Sequence, residues 1–477
     1  MKKIVILCGC IAVVLLLGFA DGVMQKKRMT EETMQTKRDT ADPEAESGGG
    51  ERTAAVTDGA DNGDFRTNPA TDGADDGDFR RNPATDDSTD DGDFRRNSAT
   101  DGSDAGEDIR VLIKTAGFAG EYHEEIAVSS ASGFSVSGES GVWQVQGGET
   151  RIFTAQSEVF GSDGVLYLEA ENGQFEIHGL QRARPSETYE GRLEIRRMEE
   201  GLLLINELSL ERYLCGVVPS EMPSSYPEEA LKAQAVCART YAAKRMREES
   251  ASAFFADVDD SVSYQVYNNQ EHSQAADNAV AATAGRVLAE ADGLIDALYY
   301  STSCGLDLHM DLSGETVFAA FLQTDGTRAY EAGEPWYRWQ TEISLADLPG
   351  VLALTVQERQ ESGVIEKLEV TYENGGSAVV EGEYEIRKYL AGAAGAVTLQ
   401  DGEIFTEMEL LPSAFCILQP QYREGDLTGY RVLGGGYGHG NGMSQNGAKH
   451  MAEEGLDYQE ILHNYYEDAE LLSLSEE

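Results

Sequence analysis

The chain has 477 residues, enough for two or three domains or for one large domain with tails. Its 85 acidic and 37 basic residues give a formal net charge of -48 at pH 7. A surface this acidic repels the phosphate backbone of DNA or RNA. The composition therefore excludes a protein that binds a long stretch of DNA or RNA, and we expect no nucleic-acid partner.

The first 20 residues predict export. Lys2 and Lys3 precede an apolar run at residues 4–20, and polar sequence begins at Asp21. Such a run is a signal peptide or a signal-anchor transmembrane segment. We expect a single-pass protein of the cell membrane with its folded part on the extracytoplasmic side. Secretion after signal cleavage is the alternative.

Residues 21–106 predict a disordered acidic linker, because they are rich in Asp, Glu, Thr, Gly and Asn and their few apolar residues lack periodicity. A short repeat, TDGADNGDFRTNPA at 57–70, recurs in variant form at 71–84 and 85–99. Its Asp and Gly residues suggest calcium loops, but no copy has the ligand spacing and closing Glu of an EF-type loop. A charge-extended tether is the better interpretation.

Folded sequence is predicted for residues 107–477, as one domain of the α+β class. Its N-terminal part is β-rich, and a few helices are inserted around a central loop and at the C-terminus. Strand patterns occur at 109–114, 143–146, 164–169, 174–178, 202–205, 286–288, 294–300, 351–357, 365–372 and 377–380. Helices are expected at 228–245, 274–284, 384–390, 444–454 and 458–466.

The helix at 228–245 has the clearest signals. Ser225 and Glu228 form a capping-box pattern, and Pro227 occupies the first turn, where its missing N–H costs nothing. Leu231 and three alanines recur on one stripe of this helix. Side chains this small allow another element to approach closely, so we expect the helix to be buried.

One carboxylate stands out in residues 210–239, which read LERYLCGVVPSEMPSSYPEEALKAQAVCAR. Pro219 and Pro223 bracket Glu221, which predicts a stiff loop just before the helix. Apolar neighbours such as Val218 would partly desolvate the carboxylate, raise its pKa and let it deliver a proton near neutral pH. On spacing alone, stabilisation of the nearby helix N-terminus explains Glu221 equally well.

A glycine-rich block at 434–448 reads GGGYGHGNGMSQNGA. Seven glycines in fifteen residues indicate unusual backbone conformations or backbone lying close to a ligand. The Gly-Lys-Ser/Thr sequence of a phosphate loop is missing. Tyr437, His439, Ser444 and Gln445 suit stacking and hydrogen bonding against a sugar better than phosphate binding.

These segments resemble the stage II sporulation protein D family. The motifs that carry the resemblance are VVPSEMP at 217–223, ALKAQAVCARTYA at 230–242 and GYGHGNGMSQNGA at 436–448. Similar segments also occur at 265–267, 300–305 and 383–387, so the resemblance spans nearly all of residues 109–473.

The resemblance implies a lytic transglycosylase that cuts the glycan strands of bacterial peptidoglycan, preferentially strands stripped of stem peptides. Glu221 takes the position of the family's motif glutamate and would act as the single acid/base. The same resemblance implies a partner amidase of the stage II sporulation protein P type and a role in septal wall remodelling and engulfment during sporulation. The predicted substrate-binding residues are Ser220, Arg239, Tyr267, Ser301, Tyr437, His439, Ser444 and Gln445.

The sequence does not decide whether the chain binds zinc. Some members of the family bind zinc near the Gln-x-Tyr motif. Here Tyr264 precedes Gln265, where a His or Cys would be expected. Cys304, His309 and His272 remain candidate ligands. A buried cysteine and surface histidines explain them more simply, so no cofactor is assigned.

Other functions stay as alternatives. The first is a non-catalytic glycan-binding module or an enhancer of a cell-wall amidase. The second is a hydrolase that uses Cys304 or Ser444 as nucleophile with His439, although no nucleophile elbow or Cys–His signature supports it. The third is a structural tether, which the acidic linker favours and the glycine-rich block does not.

Overall fold

The computed structural model describes residues 107–183, 188–248, 251–305, 329–360, 362–406 and 408–475. The expected export segment and the acidic repeats lie outside the described residues, so both stay predictions, as do the domain boundaries. The α+β class is confirmed, with a β-rich N-terminal part and helices later in the chain and at its C-terminus. No helix in the described ranges is long and apolar enough to cross a membrane.

The largest sheet comes mainly from the N-terminal part. Its strands are β1 (Asp108–Leu112), β2 (Glu125–Ser129), β3 (Phe134–Gly138), β4 (Gly141–Val145), β5 (Arg151–Thr154), β6 (Val165–His178), β7 (Thr188–Arg197), β8 (Leu202–Ser209) and β9 (Val258–Asp259). Their order is β4-β3-β6-β7-β8-β1-β9, with β2 pairing with β5 and β6. The two strands expected at 164–169 and 174–178 are one strand, β6, because a register irregularity absorbs the residues between them.

His123 is buried beside this sheet. Its backbone bridges Leu202 of β8, and its Nε2 donates to the carbonyl of Ile113 (2.8 Å). Burial lowers the pKa of His123 from its ordinary value of 6.5, and the charge of Arg182 lowers it further. Below pH 6.5 the unfolded chain therefore binds a proton that the folded chain does not, until the pH falls through the folded pKa.

His123 should make the stability of the chain depend on pH. Its contribution is complete above pH 6.5 and is lost as the pH falls, by up to about 1.4 kcal/mol per pH unit. His123→Gln removes this titration. The free energy of unfolding, measured with denaturant, should therefore fall less steeply between about pH 7.5 and pH 5 in the variant than in the wild type. Parallel pH curves for the two proteins would contradict the prediction.

Six α-helices occur in the described residues: α1 (Leu210–Glu221), α2 (Glu228–Glu248), α3 (Gln274–Ala282), α4 (Glu383–Ala391), α5 (Gln445–Glu453) and α6 (Tyr458–Tyr465). All but α1 begin and end within a few residues of the expected positions. Leu231, Ala235, Ala238 and Ala242 of α2 are at most 1% exposed, so the expected burial of that helix is confirmed. All the helices except α4 share one hydrophobic core with the large sheet.

The loop expected around Glu221 is wrong, because this segment is helix α1. Pro219 lies inside the helix and supplies no N–H, yet residues 213–219 are all buried, and this packing outweighs the missing hydrogen bond. Met222 is extended, as residues before a proline prefer to be, and the helix ends at Glu221.

A second hydrophobic core lies between residues 304 and 432. The strands after β9 are β10 (Arg286–Glu290), β11 (Gly293–Leu294), β12 (Tyr299–Tyr300), β13 (Trp339–Ser344), β14 (Val351–Arg359), β15 (Ile365–Tyr372), β16 (Ser377–Glu381), β17 (Val397–Leu399), β18 (Ile404–Phe405), β19 (Cys416–Arg423), β20 (Asp426–Gly434), β21 (Met443–Ser444) and β22 (Glu470–Ser473). The second core packs around a sheet of order β18-β17-β13-β20-β19 and a meander of β14, β15 and β16. Parallel pairing of β12 with β21 then returns the chain to the first core.

Candidate active site

Glu221 is the last residue of α1 and is only 4% exposed. The C-terminal end of a helix is the negative end of its dipole, where a carboxylate is not favoured. Helix α2 begins only at Glu228, so Glu221 is not in its first turn. A role in helix stability therefore does not explain this buried acid.

The segment at 265–267 contacts the Glu221 side chain directly. The backbone N–H of Val266 donates to Glu221 Oε1 (2.5 Å). Beside it, Gln265 Nε2 donates to the hydroxyl of Tyr299 (3.0 Å), and Tyr213 donates to Gln265 Oε1 (3.3 Å). Burial, followed by the charge of Glu221, raises the pKa of Tyr299 well above its ordinary value. Glu221 thus lies close enough to the hydroxyls of Tyr213 and Tyr299, which Gln265 links, for its charge to act on both.

Gln445 joins the two motif blocks of the sequence. Its Nε2 donates to the backbone carbonyl of Glu221 (3.0 Å) and to Oε1 of Gln234 in α2 (3.2 Å). Gln445 is the first residue of α5 and is 4% exposed. Although 224 positions separate the two residues along the chain, the glycine-rich block closes directly against the end of α1.

Backbone contacts hold the glycine-rich block in place. Thr302 and Tyr437 exchange backbone hydrogen bonds, and β21 pairs with β12. His439 is 3% exposed; its Nε2 donates to the carbonyl of Tyr299 (3.0 Å), and its Nδ1 accepts from the backbone of Asn441 (3.1 Å). His439 therefore fixes the loop against β12. With both ring nitrogens bonded to backbone, it does not support a Ser–His or Cys–His nucleophile.

Gly442 is required by this close approach. Its φ is +76°, and a Cβ at this position would overlap the carbonyl oxygen of Leu298. We expect Gly442→Ala to lower the free energy of unfolding by about 2 kcal/mol or more, because strain and overlap add. The control is Gly402→Ala. Gly402 has φ +91°, but a Cβ there would have no atom within 4 Å, so this variant should lose only the stability that backbone strain costs. Equal losses in chemical denaturation would contradict the close approach.

Ser444 and Ser301 come together at the β12–β21 pair. Ser444 Oγ caps α5 by accepting from the N–H of Gly447 (3.1 Å), and it also accepts from the N–H of Ser303 (3.1 Å). The carbonyl of Ser301 accepts from the N–H of Asn446 (2.9 Å). Both serines thus hold the start of α5. Ser444 is fully buried, whereas Ser301 is partly exposed.

Ser220 and Tyr267 lie next to Glu221. Ser220 Oγ donates to the carbonyl of Gly216 (2.7 Å) and accepts from the backbone of Asn269 (3.0 Å). Tyr267 is buried, and its hydroxyl donates to Oδ1 of Asn206 (2.9 Å). These contacts fix the turn after Val266 against α1 and β8 and hold the N–H that bonds to Glu221.

Arg239 is placed differently from the other predicted substrate-binding residues. It is fully buried and forms a two-pronged ion pair with Glu211, with Nε–Oε1 and Nη2–Oε2 distances of 2.7 Å. Its Nη groups also donate to the carbonyls of Val280 (3.2 Å) and Arg286 (3.3 Å). Arg239 therefore joins α2 to α1, α3 and β10, and its guanidinium is occupied by protein groups.

Tyr437 is partly exposed and belongs to a row of aromatic rings. Its ring centroid lies 4.6 Å from that of Trp336, which in turn lies 5.0 Å from that of Phe405. Trp336 and Phe405 are also partly exposed. Aromatic faces of this kind suit stacking against the apolar face of a sugar ring.

The zinc candidates do not form a cluster in the described part of the chain. Cys304 is buried, His272 is exposed, and His309 lies outside the described residues. In the described ranges, no three His, Cys, Asp or Glu side chains are arranged to hold a metal ion. A role for His309 stays a prediction.

Three residues of the site were missed in the sequence. Gln234 contacts Gln445, and the hydroxyl of Tyr226 donates to Oδ1 of Asn446 (2.5 Å). Glu331 is 4% exposed and lies against the start of α5. Gln234 and Tyr226 lie inside or beside quoted motifs and could have been proposed, whereas no pattern around Glu331 distinguishes it from the other acids.

Comparisons with known proteins cover most of the described chain. Residues 198–289 match the SpoIID family of stage II sporulation proteins, and residues 292–442 match a domain of unknown function (DUF8618). Glu221, Gln234 and Val266 fall in the first region, and Tyr299, Glu331 and His439 in the second. Ser444 and Gln445 lie beyond both.

Individual relatives agree with these matches over part of their length. An uncharacterised protein of Brachyspira hyodysenteriae is 30% identical over 313 residues, which cover 65% of this chain and 77% of the relative. The stage II sporulation protein D of Bacillus subtilis is 29% identical over 283 residues, covering 56% of this chain and 75% of that protein. The amidase enhancer of the same organism is 29% identical over 293 residues, covering 54% of this chain but 40% of the relative. This chain belongs to the stage II sporulation protein D family.

Proposed function

We propose that this chain is a lytic transglycosylase that cleaves the bond between N-acetylmuramic acid and N-acetylglucosamine in peptidoglycan glycan strands. Peptide-stripped strands are the preferred substrate. Family membership and relatives named as a sporulation protein and an amidase enhancer support a role in sporulation and the cell wall. The observation that carries the enzymatic proposal is Glu221, a buried acid held between two motif blocks distant in sequence.

The reaction needs one carboxyl group. Glu221 delivers its proton to the glycosidic oxygen, and the bond from that oxygen to C1 of the muramic acid breaks. An oxocarbenium-like centre remains at C1. The Glu221 carboxylate then takes the proton of the C6 hydroxyl, whose oxygen bonds to C1 and closes a 1,6-anhydro ring. The acid is restored and no water is consumed, unlike in a two-carboxylate glycosidase.

The surroundings of Glu221 suit this chemistry. Burial keeps bulk water away from the carboxyl group, which favours ring closure over hydrolysis of the oxocarbenium-like centre. The N–H of Val266 holds one carboxyl oxygen in a fixed position. The aromatic row of Trp336, Tyr437 and Phe405 would stack against sugar rings of the strand.

The cellular setting is part of the same proposal. The N-terminal segment would hold the enzyme in the cell membrane, with the catalytic domain on the extracytoplasmic side. An amidase of the stage II sporulation protein P type would supply the peptide-free strands. Septal wall remodelling and engulfment during sporulation would be the process served.

A non-catalytic role is the second candidate, because one relative is named an amidase enhancer. In this case the same surface would bind glycan strands and increase the activity of a separate amidase. Binding would then persist without Glu221, and no anhydro product would form.

Mass spectrometry of the products decides between the two. Peptide-free glycan strands are incubated with the wild-type chain and with Glu221→Gln. We expect 1,6-anhydro-muramic acid ends from the wild type only. Reducing ends would indicate hydrolysis, and intact strands together with increased amidase activity would favour the enhancer.

A further inference from the structure

Glu331 is a second buried acid beside the glycine-rich block. The buried acids Glu194, Asp259 and Asp260 each have Arg or Lys as an ion-pair partner. Glu331 is equally buried but forms no ion pair within the part of the chain that the structure describes. Burial raises the pKa of Glu331. A buried carboxyl group with no ion-pair partner needs hydrogen-bond donors around it.

That contact is the start of α5. The Ser444 hydroxyl lies near the Glu331 carboxyl, and its influence lowers the pKa of Glu331 against the larger effect of burial. Ser444 Oγ already accepts from the backbone of Ser303 and Gly447, which leaves its own proton to be donated towards Glu331 or Tyr465. A Cβ on Gly447 would overlap both Glu331 Oε1 and the hydroxyl of Tyr465. Carboxyl, phenol and serine hydroxyl therefore converge on one turn of backbone.

This turn leads directly to Glu221. Ser444 precedes Gln445, whose side chain donates to the carbonyl of Glu221 at the end of α1. Ser444 also pairs with Tyr300 in the β12–β21 ladder, next to Tyr299. A shift of Ser444 would therefore move two groups that border Glu221.

We propose that Glu331 is a positioning residue of the active site, through which the region of unknown function at 292–442 fixes Ser444 and Gln445 against Glu221. The inference rests on the proposed function. If it holds, the region at 292–442 takes part in the site, because Glu331 from this region supports the start of α5, which lies outside both matched regions. Glu331 acts through Ser444 and is not itself an acid/base of the reaction.

Glu331→Ala and Glu331→Gln test the proposal in the full chain on peptide-free glycan strands. Alanine removes the carboxyl group beside Ser444. A displacement of the reacting groups by about 1 Å can lower the rate about 100-fold. We expect kcat to fall about 10-fold to 100-fold with KM little changed. Glutamine resembles the neutral acid and still accepts from Ser444, so we expect near wild-type kcat. Glu334→Gln is the control: Glu334 pairs with Lys449 and His450 later in α5, so the same charge is removed without touching the Ser444 contact, and kcat should stay within about two-fold.

Backbone hydrogen exchange gives a readout that does not need activity. The N–H groups of Ser303 and Gly447 bond to Ser444 Oγ, so in Glu331→Ala both should exchange about 10-fold faster, and in Glu331→Gln neither should. If the wild type cleaves no strands, the proposed function fails, while exchange still tests the positioning. Unchanged exchange, or unchanged kcat in an active enzyme, overturns the inference. If the alanine variant does not fold, Glu331→Asp, one methylene shorter, takes its place with the same expected direction.

Discussion

Glu221→Gln is expected to lower kcat/KM on peptide-free glycan strands by about 100-fold to 10,000-fold, the range that a positioned general acid/base supplies. Glutamine cannot deliver a proton to the glycosidic oxygen or remove one from the C6 hydroxyl. It can still accept the N–H of Val266 through its amide oxygen, because the two side chains have nearly the same shape. We therefore expect the free energy of unfolding to change by less than about 1 kcal/mol.

A matched control is available a short distance along the chain. Glu228 opens α2, its side chain is 67% exposed, and it pairs with Lys232. Glu228→Gln removes the same charge without touching the site, so kcat/KM should stay within about two-fold. If the two variants lose activity equally, loss of charge and not loss of the acid is responsible. Undiminished cleavage by Glu221→Gln would mean that the proton comes from another group.

The sequence predicts the site well where chemistry and local pattern coincide. The motifs around Glu221 and the glycine-rich block are separated by more than 200 positions, yet their resemblance to one family indicates that they meet. Gln445 shows the contact, through its hydrogen bond to the carbonyl of Glu221. Helices α2 and α6 also begin and end close to the residues that the sequence predicts.

The sequence misleads where burial overrides local preference. Pro219 predicts a loop, but packing of α1 keeps the helix intact through that residue. Glu331 is indistinguishable from the other acids in sequence, because its burial depends on contacts with α5 and α6 from more than 100 positions away. Such contacts leave no periodic signal.

Arg239 shows a third kind of difference. The family resemblance suggests substrate binding, since the residue belongs to the ALKAQAVCARTYA motif. In the structure, however, the guanidinium contacts groups of the protein itself. It pairs with Glu211 and donates to the carbonyls of Val280 and Arg286. A motif residue can therefore matter to the site by holding α1, the helix that ends in Glu221.

Arg239→Met is accordingly expected to lower the free energy of unfolding by about 3 kcal/mol, because it breaks a largely buried ion pair with Glu211 and removes the donors to the carbonyls of Val280 and Arg286. Methionine keeps much of the length of the side chain, so the loss reports the guanidinium and not a large cavity. Chemical denaturation followed by circular dichroism measures it. KM for peptide-free strands should stay close to that of the wild type in the folded fraction.

Arg212→Met is the control for this change. Arg212 also pairs with a glutamate, Glu190, but its side chain is 54% exposed, so we expect a loss below about 1 kcal/mol. Substrate binding by Arg239 predicts the opposite pattern: a raised KM with a free energy of unfolding close to that of the wild type. A large loss of stability in Arg239→Met and a small one in Arg212→Met would assign Arg239 to the support of α1, and so to the placement of Glu221 rather than to contact with the glycan.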